Sequence, residues 1–331
     1  MKNLFKHHET YVLLVIIVFS AIITTINPNF LTLENFFDLA KSYSFIGILA
    51  VGVTIVLISG GIDISFTAVA TVGEYVMAVM VIKYGGNMFT AVLLVAVVGI
   101  ALGMINAVLI YFFNIPTIIT TIATLNIYYG ILIVISGGKW IYALPDWFRN
   151  FADIRLFTLR TAQGLEYGLS IITATWFAII IIAWIILRYT KLGRGIYAMG
   201  GSMNAARRAG FNIFGIQMFV YSFMGLMAGI AGLVQALLVQ TVAPNSIVGK
   251  ELDVIAAVVL GGASLAGGSG TLFGTILGVT LIAIMGNGLT LMRVSSFWYD
   301  VFIGLVIIIS VGFSAYQRRE KVKRTILVEG E

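Results

Sequence analysis

The sequence has 331 residues, 60% of them hydrophobic and only 10% charged, and its mean hydropathy is +1.04. A soluble domain carries roughly 25% charged residues, so the composition excludes a water-facing globule and places the chain in lipid. The net charge of +6 collects at the chain ends and in one central island, which is a topological pattern and not a nucleic-acid footprint. Cysteine is absent, and the two histidines, His7 and His8, sit side by side near the start, so disulfides, thiolate chemistry and an interior histidine site are all excluded.

A basic start (Lys2, Lys6) precedes the first apolar run, Tyr11 to Ile26. This resembles a signal peptide, but N-P-N-F-L-T follows it with no small-residue cleavage site, so a retained first span is expected. Pro28 ends it. Leu31 to Lys41 is amphipathic and is expected to rest on the outer membrane surface. Further spans are expected over Ser44 to Gly60, Ile64 to Ile82, Met88 to Phe113 and Thr117 to Ser136. The fifth of these runs carries Thr120, Thr121, Thr124 and Asn126, a polar set for a lipid-facing helix. A mixed loop, Gly137 to Gly168, holds Trp140, Tyr142 and Trp147. Leu169 to Leu187 and Phe214 to Val239 flank the island. Leu252 to Leu260 runs into the Gly-rich stretch Gly261 to Gly270, and Leu272 to Met292 and Phe297 to Phe313 follow.

The expectation is therefore an all-α integral membrane protein, one polytopic domain over residues 1–331, with about ten crossings of roughly 20 residues each. An even count puts both ends on one side. With both ends inside, twelve of the twenty Lys and Arg residues fall inside: Lys2, Lys6, the five of the island, and Arg318, Arg319, Lys321, Lys323 and Arg324 in a basic tail at about 316–331. Leu57 to Ser65 (L-I-S-G-G-I-D-I-S) echoes Val258 to Ala266 (V-V-L-G-G-A-S-L-A). Helices broken at matching places in two pseudo-related halves point to a transport path at mid-membrane, although paired glycines also occur wherever spans pack closely.

The island, 188–212, holds Arg188, Lys191, Arg194, Arg207 and Arg208 and no acid. Asn204 to Ala209 is expected to be a short helix, because Ala and Arg lose little on entering one, with Gly210 as its C-cap. A surface helix of this kind suits a soluble partner; a basic loop that only fixes topology is the plainer reading. No G-x-x-x-x-G-K-[ST] loop is present, so the chain is not expected to bind or hydrolyse ATP itself. Asp63, Glu74 and Asp253 are the deep ionisable candidates, and an intramembrane charge is expensive and tends to be functional. Asp63 also suits a helix-capping role. Asn106, Thr120, Thr124, Asn126, Gln235 and Asn287 suit a passage for a polyhydroxyl solute, and equally suit inter-helix hydrogen bonds of about 0.6 kcal/mol each.

Four stretches resemble the permease subunits of bacterial ABC importers for simple sugars, the ribose, arabinose and galactose type. They are Ala50 to Ser65, Thr190 to Gly201, Ala205 to Gly210, and Glu251 to Thr275 (E-L-D-V-I-A-A-V-V-L-G-G-A-S-L-A-G-G-S-G-T-L-F-G-T). The resemblance implies a cytoplasmic coupling helix over Asn204, Ala205, Ala206, Arg207, Arg208 and Gly210. Asn204 stands where the family usually has Glu. Phe66, Thr67 and Ala68 stand where V-G-S usually follows G-G-I-D-I-S, which bears on the substrate path. Pathway candidates are Asp63, Phe66, Glu74, Asn106, Thr124, Asn126 and Asn287. The resemblance further implies cytoplasmic ABC ATPase subunits that carry the ATP and Mg, a periplasmic or lipid-anchored sugar-binding protein, a second permease copy or sister chain, and a bacterial inner-membrane location with both termini cytoplasmic. No cofactor on this chain, no metal, no catalytic residue and no nucleic acid are expected. G-G-K-W-I (137–141) is similar to permeases for the furanosyl autoinducer-2 signal. Permeases for branched-chain amino acids or nucleosides share the fold, and a stand-alone secondary carrier is the alternative from another class.

Overall fold

The computed structural model describes residues 8–160, 164, 166–295, 297–305, 308 and 312. The basic tail, Lys2, Lys6 and His7 therefore lie outside the described residues. Among those described, eight helices are long and apolar enough to cross a membrane. They are α1 (His8–Ile26), α2 (Leu33–Ile58), α3 (Phe66–Tyr84), α4 (Met88–Phe113), α5 (Thr117–Ser136), α7 (Ile171–Tyr189), α10 (Ile213–Val239) and α12 (Leu272–Leu291). Short helices α6 (Asp146–Phe151), α8 (Lys191–Gly201), α9 (Met203–Arg208) and α11 (Glu251–Leu260) lie between them, with strands β1 (Arg155–Arg160) and β2 (Glu166–Ser170). Residues 297–305 are also helical.

The bundle is centred on α10, which packs on α4, α2 and α3. Glycine makes this closeness feasible. Gly99 and Gly103 of α4 face Gly225 and Gly229 of α10, and a Cβ at Gly99 would lie 2.1 Å from the Gly225 carbonyl oxygen. The four-residue spacing puts both glycines of each helix on one face, so the backbones meet directly. The first span, α1, is peripheral and largely exposed. It is held to α12 by Ile23 against Gly288, by Asn27 Nδ2 donating to the Leu291 carbonyl (3.3 Å), and by the Thr271 hydroxyl donating to Glu9 (2.6 Å).

Three expectations change. Leu31 to Lys41 is not a separate amphipathic helix: most of it is the start of the second span. After a 3₁₀ turn, Pro28–Leu31, Thr32 caps a helix that runs unbroken to Ile58. No breaker separates Lys41 from Ser44, and Phe37 packs on the hairpin, edge-on to Phe157 of β1 (5.6 Å) and tilted to Tyr167 of β2 (6.2 Å). The loop Gly137 to Gly168 is in part ordered: it contains α6 and the first strand of the antiparallel β1–β2 hairpin, where Arg160 pairs with Glu166 at 2.8 Å. The eighth crossing is not one helix. At about 1.5 Å per residue, ten-residue α11 is only about 15 Å long, and the Gly-rich stretch 261–271 continues from it to the island end of the bundle.

Candidate functional site

The two Gly-Gly breaks are built alike. At the end of α2, Gly60 N–H bonds the Leu57 carbonyl (2.9 Å) and Gly61 N–H the Val56 carbonyl (3.1 Å), with Gly60 at φ +85°. At the end of α11, Gly262 N–H bonds the Val259 carbonyl (2.9 Å) and Ala263 N–H the Val258 carbonyl (3.2 Å), with Gly262 at φ +89°. Each is a Schellman ending, which needs one left-handed residue and is therefore served by glycine. Each is followed by a side-chain oxygen that accepts the N–H two residues on: Asp63 Oδ1 from Ser65 N–H (2.8 Å), Ser264 Oγ from Ala266 N–H (3.2 Å). The Schellman hydrogen bonds set Gly60 against Gly262, one residue from the register read in the sequence, which set Gly60 against Gly261, whereas Asp63 and Ser264 keep the sequence register.

The Gly-rich stretch that follows the second break meets the first break. Gly268 N–H donates to the Ile58 carbonyl at 2.9 Å, and a Cβ on Gly267 would lie 2.7 Å from Gly60 Cα. Gly200, at the end of α8, completes the junction: its Cβ would lie 1.8 Å from the Ile58 oxygen and 2.6 Å from the Gly268 nitrogen. Tyr197 of α8 donates its hydroxyl to the Gly270 carbonyl (2.9 Å), and burial pushes that phenol above its ordinary pKa, so it stays a neutral donor. Backbone from three segments, α2's end, α8's end and the Gly-rich stretch, is thus in van der Waals contact with nothing between.

On the other side of Gly200 stands α9. Ser202 caps it, its Oγ accepting the Ala205 N–H (3.3 Å), and Gly210 at φ +82° ends it. Of the six sequence-chosen residues, Asn204, Ala205, Arg207, Arg208 and Gly210 are exposed and Ala206 is buried. Ala206 is therefore the seat of the helix and the other five form its free surface. None of the island cations Arg188, Lys191, Arg194, Arg207 and Arg208 makes an ion pair among the described residues. Met203 and Arg207 border a cavity of about 570 Å³ with Asn114, Pro116, Thr117 and Gln217. Gln217 is buried, and its Oε1 has no hydrogen-bond partner.

The interior candidates divide. Asp63 Oδ1 also accepts the Ser65 hydroxyl (2.7 Å), Asn106 Nδ2 donates to Ser65 Oγ (2.7 Å), and the Tyr128 hydroxyl reaches Asn106 Oδ1 (3.2 Å). This chain of buried polar groups links the α2–α3 break to α4 and α5. Phe66 is buried at the start of α3. Glu74 is buried in α3; one carboxyl oxygen accepts the Ser246 hydroxyl and Oε2 has no hydrogen-bond partner. Thr124 is buried and bonds its own helix at the Thr121 carbonyl (3.3 Å). Asn126 is exposed and bonds the Ile122 carbonyl (2.8 Å). Residues two positions apart on a helix are about 200° apart around its axis, so Thr124 and Asn126 face opposite ways. Asn287 exchanges amide hydrogen bonds with Asn35 (3.0 and 3.2 Å), tying α12 to α2. Asp253 pairs with Lys250 (3.3 Å) in the first turn of α11.

Sequence reading missed α8, Gly200, Ser65, Tyr128 and Ser246. Thr190 before α8 carried a signal, since its hydroxyl accepts the Gly193 N–H (3.0 Å) as an N-cap.

A family model described as branched-chain amino acid transport system, permease component, matches residues 35–311. The ribose import permease protein of Escherichia coli strain K12 is 34% identical over 302 residues, covering 90% of this chain and 91% of that protein. The autoinducer 2 import system permease protein of Yersinia pseudotuberculosis serotype O:3 strain YPIII is 32% identical over 308 residues, covering 93% and 85%. No solved structure matches the chain.

Proposed function

The chain belongs to the family of permease components of branched-chain amino acid-type transport systems, and from that premise we propose that it is the membrane subunit of an ATP-driven importer of a simple sugar. It is a multi-pass permease, a transport subunit of the importer class. In the proposal, cytoplasmic ABC ATPases carry ATP and Mg, a periplasmic or lipid-anchored binding protein delivers the solute, and a second permease copy or sister chain completes the pathway. Residues 1–331 act as one permease domain in the bacterial inner membrane, with both termini and the island on the cytoplasmic side.

One observation supports the coupling role above all: α9 presents a free basic surface, and near the end of the preceding helix Gly200 is in backbone contact with the first break and with the Gly-rich stretch that follows the second. An ATPase that displaced α8 and α9 would move the Ile58–Gly268 junction without a long relay. The sequence holds no phosphate-binding loop of its own, which agrees with a borrowed energy source. The polar chain Asp63–Ser65–Asn106–Tyr128 and the half-satisfied Glu74 are the groups proposed to lie on or beside the path. A polyhydroxyl solute suits neutral amides and hydroxyls, and the Escherichia coli relative is named for ribose import. The Yersinia relatives, named for autoinducer 2 import, support the furanosyl signal as a second reading.

The test is co-purification of the tagged full chain with an ABC ATPase co-expressed from the same transport system. Arg207→Glu with Arg208→Glu is expected to remove most of the bound ATPase while membrane insertion is unchanged. Ala206 is excluded from that pair because its substitution would unseat α9 itself. ATPase recovery unaltered by the double variant would remove α9 from the docking role.

A further inference from the structure

We propose that the groove between α3, α4 and α5 is a binding site for an anionic phospholipid, with an acyl chain in the groove and the headgroup phosphate between Lys83 and Lys139.

The groove encloses about 440 Å³. Its walls include Val79 and Met80 of α3, Ile105 of α4, and Ile131 and Ile135 of α5. Two tyrosines also line it, but neither hydroxyl is free to serve a polar ligand. Tyr128 points inward to Asn106 and the Leu102 carbonyl, and Tyr75 donates to the Lys139 carbonyl at 3.1 Å. Lining residues of α3 run from Val72 to Met80, about 12 Å at 1.5 Å per residue. A leaflet's hydrocarbon is about 15 Å deep, half of a core near 30 Å. The groove thus has the polarity and the length of an acyl chain standing in one leaflet.

Charge identifies the head. Between Glu74 and Asp146 the sequence has only two charged side chains, Lys83 and Lys139. Both stand at the C-terminal ends of the groove's helices, Lys83 in the last turn of α3 and Lys139 three residues past α5. Lys83 lies one helical turn beyond Val79 on α3, and Lys139 follows the Gly137–Gly138 turn that ends α5, its carbonyl held by Tyr75 of the groove wall. Both are exposed, and neither makes an ion pair among the described residues. Trp140 and Tyr142, stacked with ring centroids 6.0 Å apart, are exposed beside them. Exposed aromatics at a helix end mark the headgroup level of a bilayer. Two cations without an acidic partner among the described residues, Lys83 resting only over the Tyr84 ring (5.1 Å to its centroid), match a lipid phosphate that carries a net negative charge, and each cation near an anionic headgroup contributes attraction that a zwitterionic lipid does not supply in full. These lysines lie at the bundle end away from the island, where they run against the loop-charge bias; the site accounts for their presence there.

The experiment is native mass spectrometry of the full chain in detergent, titrated with phosphatidylglycerol or with phosphatidylcholine of the same acyl chains. Wild type is expected to retain phosphatidylglycerol in preference. Lys83→Gln or Lys139→Gln should each weaken that retention about fivefold, and the pair about 25-fold, with phosphatidylcholine unchanged. Ile131→Trp, at an exposed position on the groove wall, should lower retention of both lipids. Equal retention of the two lipids by wild type, or a double variant that keeps the preference, would overturn the headgroup assignment. Unchanged retention in Ile131→Trp would overturn the acyl-chain assignment. The chain has no native cysteine, so Ile131→Cys also reports contact between copies: a bismaleimide cross-link to a second copy in membranes would make this face a subunit contact and overturn the proposal.

Discussion

The Gly200 junction invites a paired substitution, because its neighbour Gly201 has nothing within 4 Å of where a Cβ would sit. In Gly200→Ala the new methyl would start 1.8 Å from the Ile58 oxygen and 2.6 Å from the Gly268 nitrogen, and real Cβ atoms essentially never approach within 3.0 Å. The Ile58 carbonyl would have to retreat by more than 1 Å. That breaks the 2.9 Å bond from Gly268, worth about 1 kcal/mol, and adds overpacking of about 1–3 kcal/mol. Alanine's helix advantage over glycine returns about 1 kcal/mol, leaving a net loss of about 1–3 kcal/mol. Gly201→Ala meets no clash, so it should be neutral or gain up to about 1 kcal/mol. The two variants, adjacent and chemically identical, should differ by about 1–4 kcal/mol. Thermal unfolding in detergent measures the stability difference, and ATP-dependent uptake in the assembled transporter measures its consequence. Gly200→Ala should unfold earlier and lose most uptake; Gly201→Ala should match wild type in both. Two variants that behaved alike would refute the reasoning that α8 is wedged directly between the first break and the Gly-rich stretch.

Asn106→Ala removes the middle of the Asp63–Ser65–Asn106–Tyr128 chain and leaves buried partners unpaired, at a cost of about 1–3 kcal/mol; Asn126→Ala, at an exposed position bonded to its own helix, should be near neutral, and chemical denaturation compares the two. For Asn35 and Asn287, a double-mutant cycle with alanine should give a coupling energy near 0.6 kcal/mol, the usual size for a polar pair between membrane helices; additive single effects would show that the reciprocal amide bonds contribute nothing.

Much of the bundle was legible because long apolar runs closed by Pro, Asn or Gly have few other readings. The short helix α9 was legible too, from A-A-R-R followed by Gly210, although its cap at Ser202 was not read. Its neighbour α8 was not. Four glycines within K-L-G-R-G-I-Y-A-M-G-G depress intrinsic propensity, and what rescues the helix is tertiary: Gly193, Gly195 and Gly200 allow close approach to Leu187, Ile216 and Ile58. The hairpin was hidden for a similar reason, since part of its support is Phe37, more than a hundred residues away. Two breaks with paired glycines were visible as an echo, but not that Gly60 and Gly267 touch, nor the one-residue change of register, which follows from hydrogen bonding and not from letter identity. Polar residues were the least legible. Type alone does not separate Asn106, in a buried network, from Asn126 on the surface or Asn287 paired with Asn35, because burial and partner are set by helices distant in sequence.

The central claim is that this permease moves solute only when an external ATPase drives it. It is tested most directly in proteoliposomes holding the chain alone, or the chain with the proposed ABC ATPase and solute-binding protein, by measuring accumulation, with and without ATP, of the labelled solute that the binding protein retains. The account predicts accumulation only in the complete, ATP-supplied vesicles. Accumulation against a gradient by the chain alone, without nucleotide, would contradict it.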